Sequence, residues 1–389
     1  MKYSIILLIV LISIFAFTAC MQDTPVTPTD KIVTISEDIT QDITFRDGFT
    51  YIIKGTIRVK NATITVQPGA TISLQQDAEL DFAYLTNETA TIRAIGTTEK
   101  PITFTSSLGN PTNLEWDCLY FFKGAKNCVF EHCIFEYGGD EANKGMIVMK
   151  ESAVSFKSCT FRKSASSAVY LKADAYFTEF TSNTLTDNAS YAIIITPNYV
   201  HTIGEGNTYS TTSGIFVSND TYLNKSGTFT WLNQGTPYII EGDMRIGSPG
   251  NGTILNIAPG NVIKFMQDAQ FTIAYGNNDI GTITANGTAN EKILFTAFSS
   301  SPVKQDWKGF DFKHGSRNCN FNFCEVTHAG SSVSSSAVFY LSQCGTEVTI
   351  SNSLIAHSIS YGISVDATTT VDRTTIAFED IDKETYHVR

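Results

Sequence analysis

The residues with the greatest capacity for chemistry lie in one short segment, KNCVFEHCIFEYGG, which runs from Lys126 to Gly139. Its two thiols, Cys128 and Cys133, flank a carboxylate and an imidazole. Structural zinc sites use cysteine and histidine at short spacings, usually with two to four residues between the first two ligands and with a second ligand pair elsewhere. The segment is therefore a candidate metal or redox site.

A second copy of the segment argues against a metal. The sequence RNCNFNFC, from Arg317 to Cys324, repeats the first at an offset of 191 residues. Cys319 and Cys324 take the places of Cys128 and Cys133, whereas Asn and Phe replace the glutamate and the histidine. A metal site retained in both copies would keep its ligands, so we predict no metal and no other cofactor here.

The thiols also belong to a shorter repeat. Cys133-Ile-Phe is followed 26 residues later by Cys159-Thr-Phe and another 24 residues later by Asn183-Thr-Leu. A small side chain, a spacer and a large apolar side chain are typical of a strand with one buried face. Strand units of 20–30 residues predict a solenoid, in which Cys133 and Cys159 stack inside as packed thiols. A disulfide between neighbouring turns stays open, because strands about 4.8 Å apart suit its geometry.

The longer repeat covers far more than the cysteines. Val66–Tyr84, VQPGATISLQQDAELDFAY, matches Ile257–Tyr275, IAPGNVIKFMQDAQFTIAY, and the same offset places Trp116 on Trp307. The chain is therefore predicted to be an internal duplication. The two tryptophans are candidate surface contacts for a sugar, although their repetition also suits a packing role.

The N-terminus, MKYSIILLIVLISIFAFTAC, has one lysine, an apolar run from Ile5 to Phe17 and small residues before Cys20. These are the parts of an export signal. Phe-Thr-Ala-Cys resembles the lipobox of bacterial lipoproteins, which implies lipidation of Cys20 and anchoring in the outer membrane, with exposure at the cell surface left open. The alternative is a plain secretory signal in which Cys20 is incidental.

These patterns divide the chain into four parts. Residues 1–19 are predicted to be the signal peptide and residues 20–32 a flexible tether. Residues 33–234 and 235–389 are the two homologous halves, which we expect to form one continuous solenoid because no linker-like stretch separates them.

Composition narrows the class of protein. The net charge of −11 disfavours a nucleic-acid partner. Short runs of β-branched and aromatic residues, broken by Gly, Asn and Pro, predict an all-β chain. Of eight cysteines, seven follow Cys20, and this odd number argues against a complete disulfide framework.

Three pieces in fixed order, TITVQPGATISL, TIRAIGTTEKPITFTS and LEWDCLYFFKGAKNCVFEHCIFEYGG, recur in the second half. In this order the chain resembles right-handed parallel β-helix proteins of the pectin-lyase-like class, especially exported proteins of the Bacteroidetes type. The resemblance covers roughly residues 51–376. It implies the fold and export, and it says little about activity because one fold hosts many functions.

Two functions are compatible with these observations. The first is a non-catalytic binding or structural role in the cell envelope, as a monomer that holds a glycan or a partner protein. The alternative is a polysaccharide lyase or glycoside hydrolase, which would need calcium to accommodate an acidic substrate. No catalytic residue is predicted, because the acidic stretches at 139–141 and 379–382 lie outside any recurring Asp-x-Asp strand pattern.

Overall fold

The computed structural model describes residues 31–112, 114–140, 142, 144–210, 214–331, 336–342, 347–366, 371 and 375–389. The predicted signal peptide, Cys20 and nearly all of the tether lie outside these residues. Ile32–Arg389 forms one compact unit, and its first strand begins at Ile32, one residue inside the predicted tether. No helix within the described ranges is both long and apolar enough to cross a bilayer.

The strands are short because the alternation of inward-pointing and outward-pointing side chains is interrupted by a corner every few residues. Ala62–Val66, for example, alternates buried and more exposed side chains, as a strand with one face on a core requires. The strands that precede residue 220 are β1 Ile32–Ile35, β2 Ile43–Phe45, β3 Thr50–Ile53, β4 Thr56–Val59, β5 Ala62–Val66, β6 Thr71–Leu74, β7 Glu79–Phe82, β8 Ala90–Ile95, β9 Ile102–Ser106, β10 Leu119–Phe121, β11 Cys128–Glu131, β12 Cys133–Glu136, β13 Gly145–Lys150, β14 Ala153–Lys157, β15 Thr160–Arg162, β16 Ser167–Lys172, β17 Tyr176–Thr181, β18 Thr184–Thr186, β19 Ile193–Ile195, β20 Thr208–Tyr209 and β21 Ile215–Val217.

The remaining strands continue the same design, and a 3₁₀ segment, Pro197–Thr202, lies between β19 and β20. They are β22 Gly227–Trp231, β23 Tyr238–Ile240, β24 Asp243–Ile246, β25 Thr253–Ile257, β26 Val262–Phe265, β27 Gln270–Ile273, β28 Gly281–Asn286, β29 Ile293–Ala297, β30 Gly309–Phe312, β31 Cys319–Asn322, β32 Cys324–Thr327, β33 Ala337–Leu341, β34 Val348–Ser351, β35 Ser353–Ser358, β36 Tyr361–Val365, β37 Ile376–Ile381 and β38 Tyr386–Val388.

Strands from successive turns pair in parallel and build five sheets. One sheet has thirteen strands, in the order β4-β7-β10-β13-β16-β19-β21-β23-β26-β29-β32-β35-β37, and is called the long sheet below. The other four are β1-β3-β6-β9-β12-β15-β18-β20, β2-β5-β8-β11-β14-β17, β22-β25-β28-β31-β34 and β24-β27-β30-β33-β36-β38. The chain is therefore an all-β parallel β-helix, as the sequence predicts, and most turns carry three strands.

Corners between strands use left-handed backbone conformations. His132, which separates β11 from β12, has a φ of 48°, and its counterpart Phe323, between β31 and β32, has a φ of 50°. The Cys-x4-Cys spacing is thus the length of one four-residue strand plus one corner residue. Both positions serve the turn whichever side chain they carry.

The core contains ladders of phenylalanine side chains. The ring of Phe135 stacks on Phe104 at 4.9 Å and on Phe161 at 5.0 Å between centroids, one turn to either side. Phe130 and Phe156 form a second ladder at 5.0 Å. Such stacking repeats the turn spacing of parallel strands and fixes the register from one turn to the next.

Some segments that match in sequence lie on different walls of the helix. Strand β12 belongs to the eight-stranded sheet, whereas its counterpart β32 belongs to the long sheet. The long sheet takes the third strand of each turn before residue 220 and the second strand of each turn after residue 260. The second and third strands of each matched turn are therefore offset by one wall, whereas the 3₁₀ segment Pro197–Thr202 contacts both β17 and β22 and links the walls of the first strands. That they arose by duplication stays a prediction from the sequence.

Candidate functional site

The thiols of the opening segment are deeply buried. Cys128, Cys133 and Cys159 are each 1% exposed. The Sγ atom of Cys133 lies 3.3 Å from the carbonyl oxygen of Ala94, one turn away. Ile134 pairs with Thr160, which stacks the cysteines that precede them.

This environment suppresses thiol chemistry. Burial raises the pKa of Cys128 to about 11 and that of Cys133 well above the usual thiol value. Cys118, Cys128, Cys133, Cys159 and Cys324 are free thiols. No group of three or more potential ligands able to hold a metal occurs among the described residues. Since only the thiolate is a good nucleophile and metal ligand, these cysteines act as packing groups.

The structure corrects the interpretation of Trp116 and Trp307 as candidate surface contacts. Their side chains are 1% and 0% exposed, so neither can stack on a sugar. Each indole N–H donates to a main-chain carbonyl, at 3.0 Å for Glu136 and 2.9 Å for Thr327. A buried indole needs such a partner, and here it fixes the corner after each cysteine-bearing strand.

Ionisable side chains that lie close together occur on the outer face of the long sheet, not in the cysteine and tryptophan motifs. Glu79 and Asp81 lie two residues apart on β7 and point to its outer face, since Leu80 between them belongs to the core. On the preceding strand, Arg58 Nε lies 3.8 Å from Asp81 Oδ2. Cys118 directly precedes the next strand of the long sheet, β10, and its Sγ donates to Glu79 Oε1 at 3.3 Å. These residues, with Asp117, are called the acidic cluster below.

Burial and like charge perturb two carboxyl groups of the acidic cluster. Desolvation, together with the neighbouring Glu79, raises the pKa of Asp81 to about 8. Asp117 has a pKa raised to about 6, first by burial and then by Asp140 and Glu79. The Oδ1 atom of Asp81 has no hydrogen-bond partner. At neutral pH Asp81 therefore holds its proton and is an acid rather than a charged ligand.

Sequence reasoning missed the acidic cluster. It looked for recurring Asp-x-Asp, whereas the strand carries Glu-Leu-Asp and the arginine comes one turn earlier. The signal that could have found it is a difference between the copies: Glu79 and Asp81 correspond to Gln270 and Thr272. Features common to both copies are structural here, so their divergent positions are the better functional candidates.

A row of apolar side chains continues from the acidic cluster along the outer face of the long sheet. Its members occupy equivalent positions on six successive strands and are Tyr120, Val148, Tyr170, Ile194, Phe216 and Ile239. We call this row the outer ladder. The residues immediately before and after each ladder residue in the sequence point into the core instead.

Much of the outer ladder is buried without being part of the core. Val148 and Ile239 are 0% and 3% exposed, and Tyr170 and Ile194 are each 8% exposed. None of these four belongs to the hydrophobic core cluster that fills the helix. An outer sheet face normally carries polar residues, so this surface departs from the rule for a solvated sheet.

The rows on the two sides of the outer ladder differ. Two residues earlier, Ala168 and Ala192 are buried and belong to the hydrophobic core cluster. Two residues later, the side chain of Lys172 lies 5.1 Å above the ring of Tyr170 and 5.7 Å above that of Tyr120. The outer ladder is therefore basic along one side, and Tyr120 and Phe216 are its partly exposed members.

Comparison with known families agrees with this architecture. Residues 37–149 match the family described as pectate-lyase like beta helix domain, and residues 117–230 match the right handed beta helix region family. No curated protein and no solved structure matched the chain. The two matches overlap and together span the turns that carry the acidic cluster and most of the outer ladder. The chain is a pectin-lyase-like protein with a right-handed parallel β-helix fold.

Proposed function

We propose that this chain is a non-catalytic binding protein of the cell envelope and that its binding surface is the outer face of the long sheet. The observation that carries the proposal is the outer ladder, six in-register apolar side chains outside the core. At about 4.8 Å per strand, the ladder is about 24 Å long. Within it the rings of Tyr120 and Phe216 stay partly exposed, and exposed apolar groups on an otherwise ordered face are typical of interaction surfaces.

The composition of the strip favours a protein partner over a glycan. Val148, Ile194 and Ile239 offer no hydrogen-bonding group, whereas sugar sites combine aromatic platforms with many polar contacts. The cores of protein interfaces are depleted in charge and enriched in aromatic residues. The outer ladder has no charged member and contains three aromatic residues.

Attachment to the outer membrane through a lipid on Cys20 is part of the same proposal. The apolar run from Ile5 to Phe17 and the small residues before Cys20 support it. A tether of residues 20–32 reaches about 40 Å when extended. That length would let the long sheet face a partner within the envelope.

Site-specific photo-crosslinking in cells tests the proposal. We expect p-benzoylphenylalanine in place of Phe216 to give one discrete protein adduct, because this ring lies in the outer ladder. The matched control replaces Tyr176, an exposed aromatic residue of β17 on a different sheet. Equal labelling at both positions, or no adduct at residue 216, would overturn the proposal.

A carbohydrate-active enzyme is the second candidate, and the acidic cluster favours it. Asp81, with a pKa of about 8, and Asp117, with a pKa of about 6, are able to hold a proton that a glycosidic oxygen could accept. Against this, Asp81 is only 3% exposed, so a substrate cannot reach its carboxyl group directly. Calcium would be needed only under this candidate function.

Depolymerisation assays distinguish the two functions. The mature chain is incubated with neutral and acidic polysaccharides, with and without calcium, and product size is followed. We expect no cleavage. Cleavage that is lost in Glu79→Gln and Asp117→Asn, but kept in the exposed control Asp268→Asn, would favour the enzyme.

A further inference from the structure

Two histidines lie side by side near the C-terminal end of the long sheet. His328 follows β32 directly, and His357 lies in β35, the next strand of that sheet. Thr327 pairs with Ala356, so the two histidines occupy equivalent positions on neighbouring turns. Their rings stack with 5.0 Å between centroids and 25° between planes. The pair belongs neither to the acidic cluster nor to the outer ladder.

Hydrogen bonds hold one nitrogen of each ring. His357 Nδ1 lies 2.9 Å from Asp380 Oδ2, one turn further along the sheet. Because a carboxylate can only accept, this Nδ1 carries the proton. His328 Nδ1 lies 3.0 Å from Thr327 Oγ1, whose own proton is donated to Thr296 Oγ1 at 2.8 Å. Since a hydroxyl has one proton, Thr327 accepts from the Nδ1–H of His328.

This tautomer is the one that metal-binding histidines use. In a neutral ring, a proton on Nδ1 leaves the lone pair of Nε2 free for a metal ion. The other N–H of such a histidine almost always donates to a carboxylate, a carbonyl or water, which fixes the orientation of the ring. His357 and Asp380 have this arrangement. Neither Nε2 atom of the pair has a hydrogen-bond partner within the part of the chain that the structure describes.

The spacing and exposure of the rings are compatible with one shared ion. Imidazole nitrogens lie about 2.0–2.1 Å from a bound zinc ion, so two of them on one ion are at most about 4.2 Å apart. The centroids are 5.0 Å apart, and a tilt of the two rings towards each other brings the Nε2 atoms within this span. The side chain of His357 is 39% exposed, so an ion can reach it from solvent.

Charges around the pair favour a cation. Asp380 and Asp382 both contact Lys304, whose Nζ lies 2.6 Å and 2.5 Å from their carboxylates. Asp306 is close enough to act electrostatically on His328. Three carboxylates therefore outnumber the single ammonium group beside the rings, which raises the local concentration of cations.

We propose that His328 and His357 bind a divalent transition-metal ion through their Nε2 atoms, with Asp380 as the outer partner that orients His357. Imidazole suits copper, nickel and zinc, and the affinity of such a site is highest for Cu²⁺. Hard cations such as Ca²⁺ prefer oxygen ligands. The pair supplies two ligands and water completes the coordination.

This site is independent of the binding role proposed above. Its two ligands lie on turns that are complete without an ion, so folding does not depend on the metal. The sequence predicts no metal or cofactor, because one whole turn of the chain separates the two histidines and they meet only when the turns stack.

The test uses the chain lacking residues 1–20, which keeps every described strand. Cu²⁺ is titrated into it at neutral pH, and binding is followed by calorimetry and by pulsed electron paramagnetic resonance. We expect one Cu²⁺ per chain, with the spectrum showing two coupled imidazoles. This readout needs no variant, so it decides the matter even if a substitution disturbs the fold.

Asparagine replaces histidine in the variants because it tolerates the left-handed backbone of these positions. His328→Asn and His357→Asn should each lower the affinity for Cu²⁺ by at least about tenfold and leave at most one coupled imidazole. The matched control is His132→Asn, at another left-handed corner, which should bind Cu²⁺ as the unmutated chain does. Asp380→Asn should weaken binding by about 10–100-fold while both imidazoles stay coupled, as expected of a positioning residue.

Three results would overturn the site. The first is the absence of saturable binding by the unmutated chain. The second is Cu²⁺ coupled to fewer than two imidazoles, or bound equally well by His328→Asn or His357→Asn, which indicates an adventitious ion only. The third is an equal loss of affinity in His132→Asn, which would assign the ion to the cysteine-bearing corner instead.

Discussion

At the residue scale, Asp81 is the side chain whose chemistry is most constrained by its surroundings. It is 3% exposed, one carboxylate oxygen has no partner, and Arg58 approaches the other only to 3.8 Å. Burial therefore favours the neutral acid, and the protein must hold a proton there that the unfolded chain releases.

This gives a pH-dependent stability. The pKa of Asp81 is raised from 3.8 to about 8, so its contribution is fully present below pH 4 and is lost as pH rises through about 8. We expect Asp81→Asn to remove this loss and to raise the free energy of unfolding by about 1–3 kcal/mol at pH 8.5. Urea denaturation at pH 4.5 and 8.5 measures the difference.

The control for that prediction is Asp268→Asn, at an exposed corner whose carboxylate is solvated. It should change the free energy of unfolding little at either pH. A stabilisation by Asp81→Asn that is equal at both pH values would contradict the titration and indicate a packing effect instead.

Residue types alone could predict part of this site. The buried thiols follow from the turn repeat of Cys133 and Cys159. The acidic cluster did not follow, because Arg58, Glu79 and Cys118 are distant in sequence and meet only when three turns stack. The burial of Trp116 could not be predicted either, because an indole at a corner can point into the core or into solvent.

At the element scale, the corner between β11 and β12 shows how the segment that looked like a metal site is built. His132 and Phe323 adopt the same left-handed conformation at equivalent corners. Because a left-handed residue other than glycine costs about 1 kcal/mol or more, the corner is set by packing of the strands on either side.

Substitution at this corner separates a backbone role from a ligand role. We expect His132→Gly to change the free energy of unfolding by less than about 1 kcal/mol, because the gain in backbone fit offsets the entropy of glycine. His132→Val should lower it by about 1–2 kcal/mol, since a β-branched residue tolerates a positive φ poorly. Chemical denaturation with and without a zinc chelator measures both effects.

The chelator should leave the transition unchanged in all three proteins. Destabilisation by His132→Gly of several kcal/mol, matched by the same loss on chelation of the unmutated chain, would restore the metal hypothesis.

The sheet to which each strand belongs could not be predicted from the sequence. At residues 197–209 a 3₁₀ segment replaces a strand and β20 has only two residues. The spacing of apolar residues in the sequence shows where strands occur. Where that spacing becomes irregular, it no longer shows to which sheet the next strand belongs. The offset of one wall between β12 and β32 arises beyond this irregular stretch.

At the scale of the whole molecule, the predicted anchor and the fold occupy separate parts of the chain. The first strand of the fold begins at Ile32, so the predicted lipid site and tether can be altered without removing a strand.

Cys20→Ser tests the proposed anchor. Without a thiol the chain cannot accept a lipid, so we expect it to leave the membrane fraction after cell lysis while keeping its β-sheet spectrum. Fractionation with metabolic labelling by a palmitate analogue measures both lipid and location. Persistent membrane association of Cys20→Ser without label would contradict lipidation and favour a plain signal or a partner-mediated attachment.

The offset of one wall between matched strands has a consequence for how such a protein could diversify. If a duplicated coil were joined in phase, each wall would repeat its own surface and the molecule would display one motif twice on the same side. With a shift of one wall, a matched segment would face a new direction. Here β12 and its counterpart β32 point away from the axis on different sides. If the halves arose by duplication, a change of winding by a single strand would give a matched strand a new outward direction while its inward side chains stay buried.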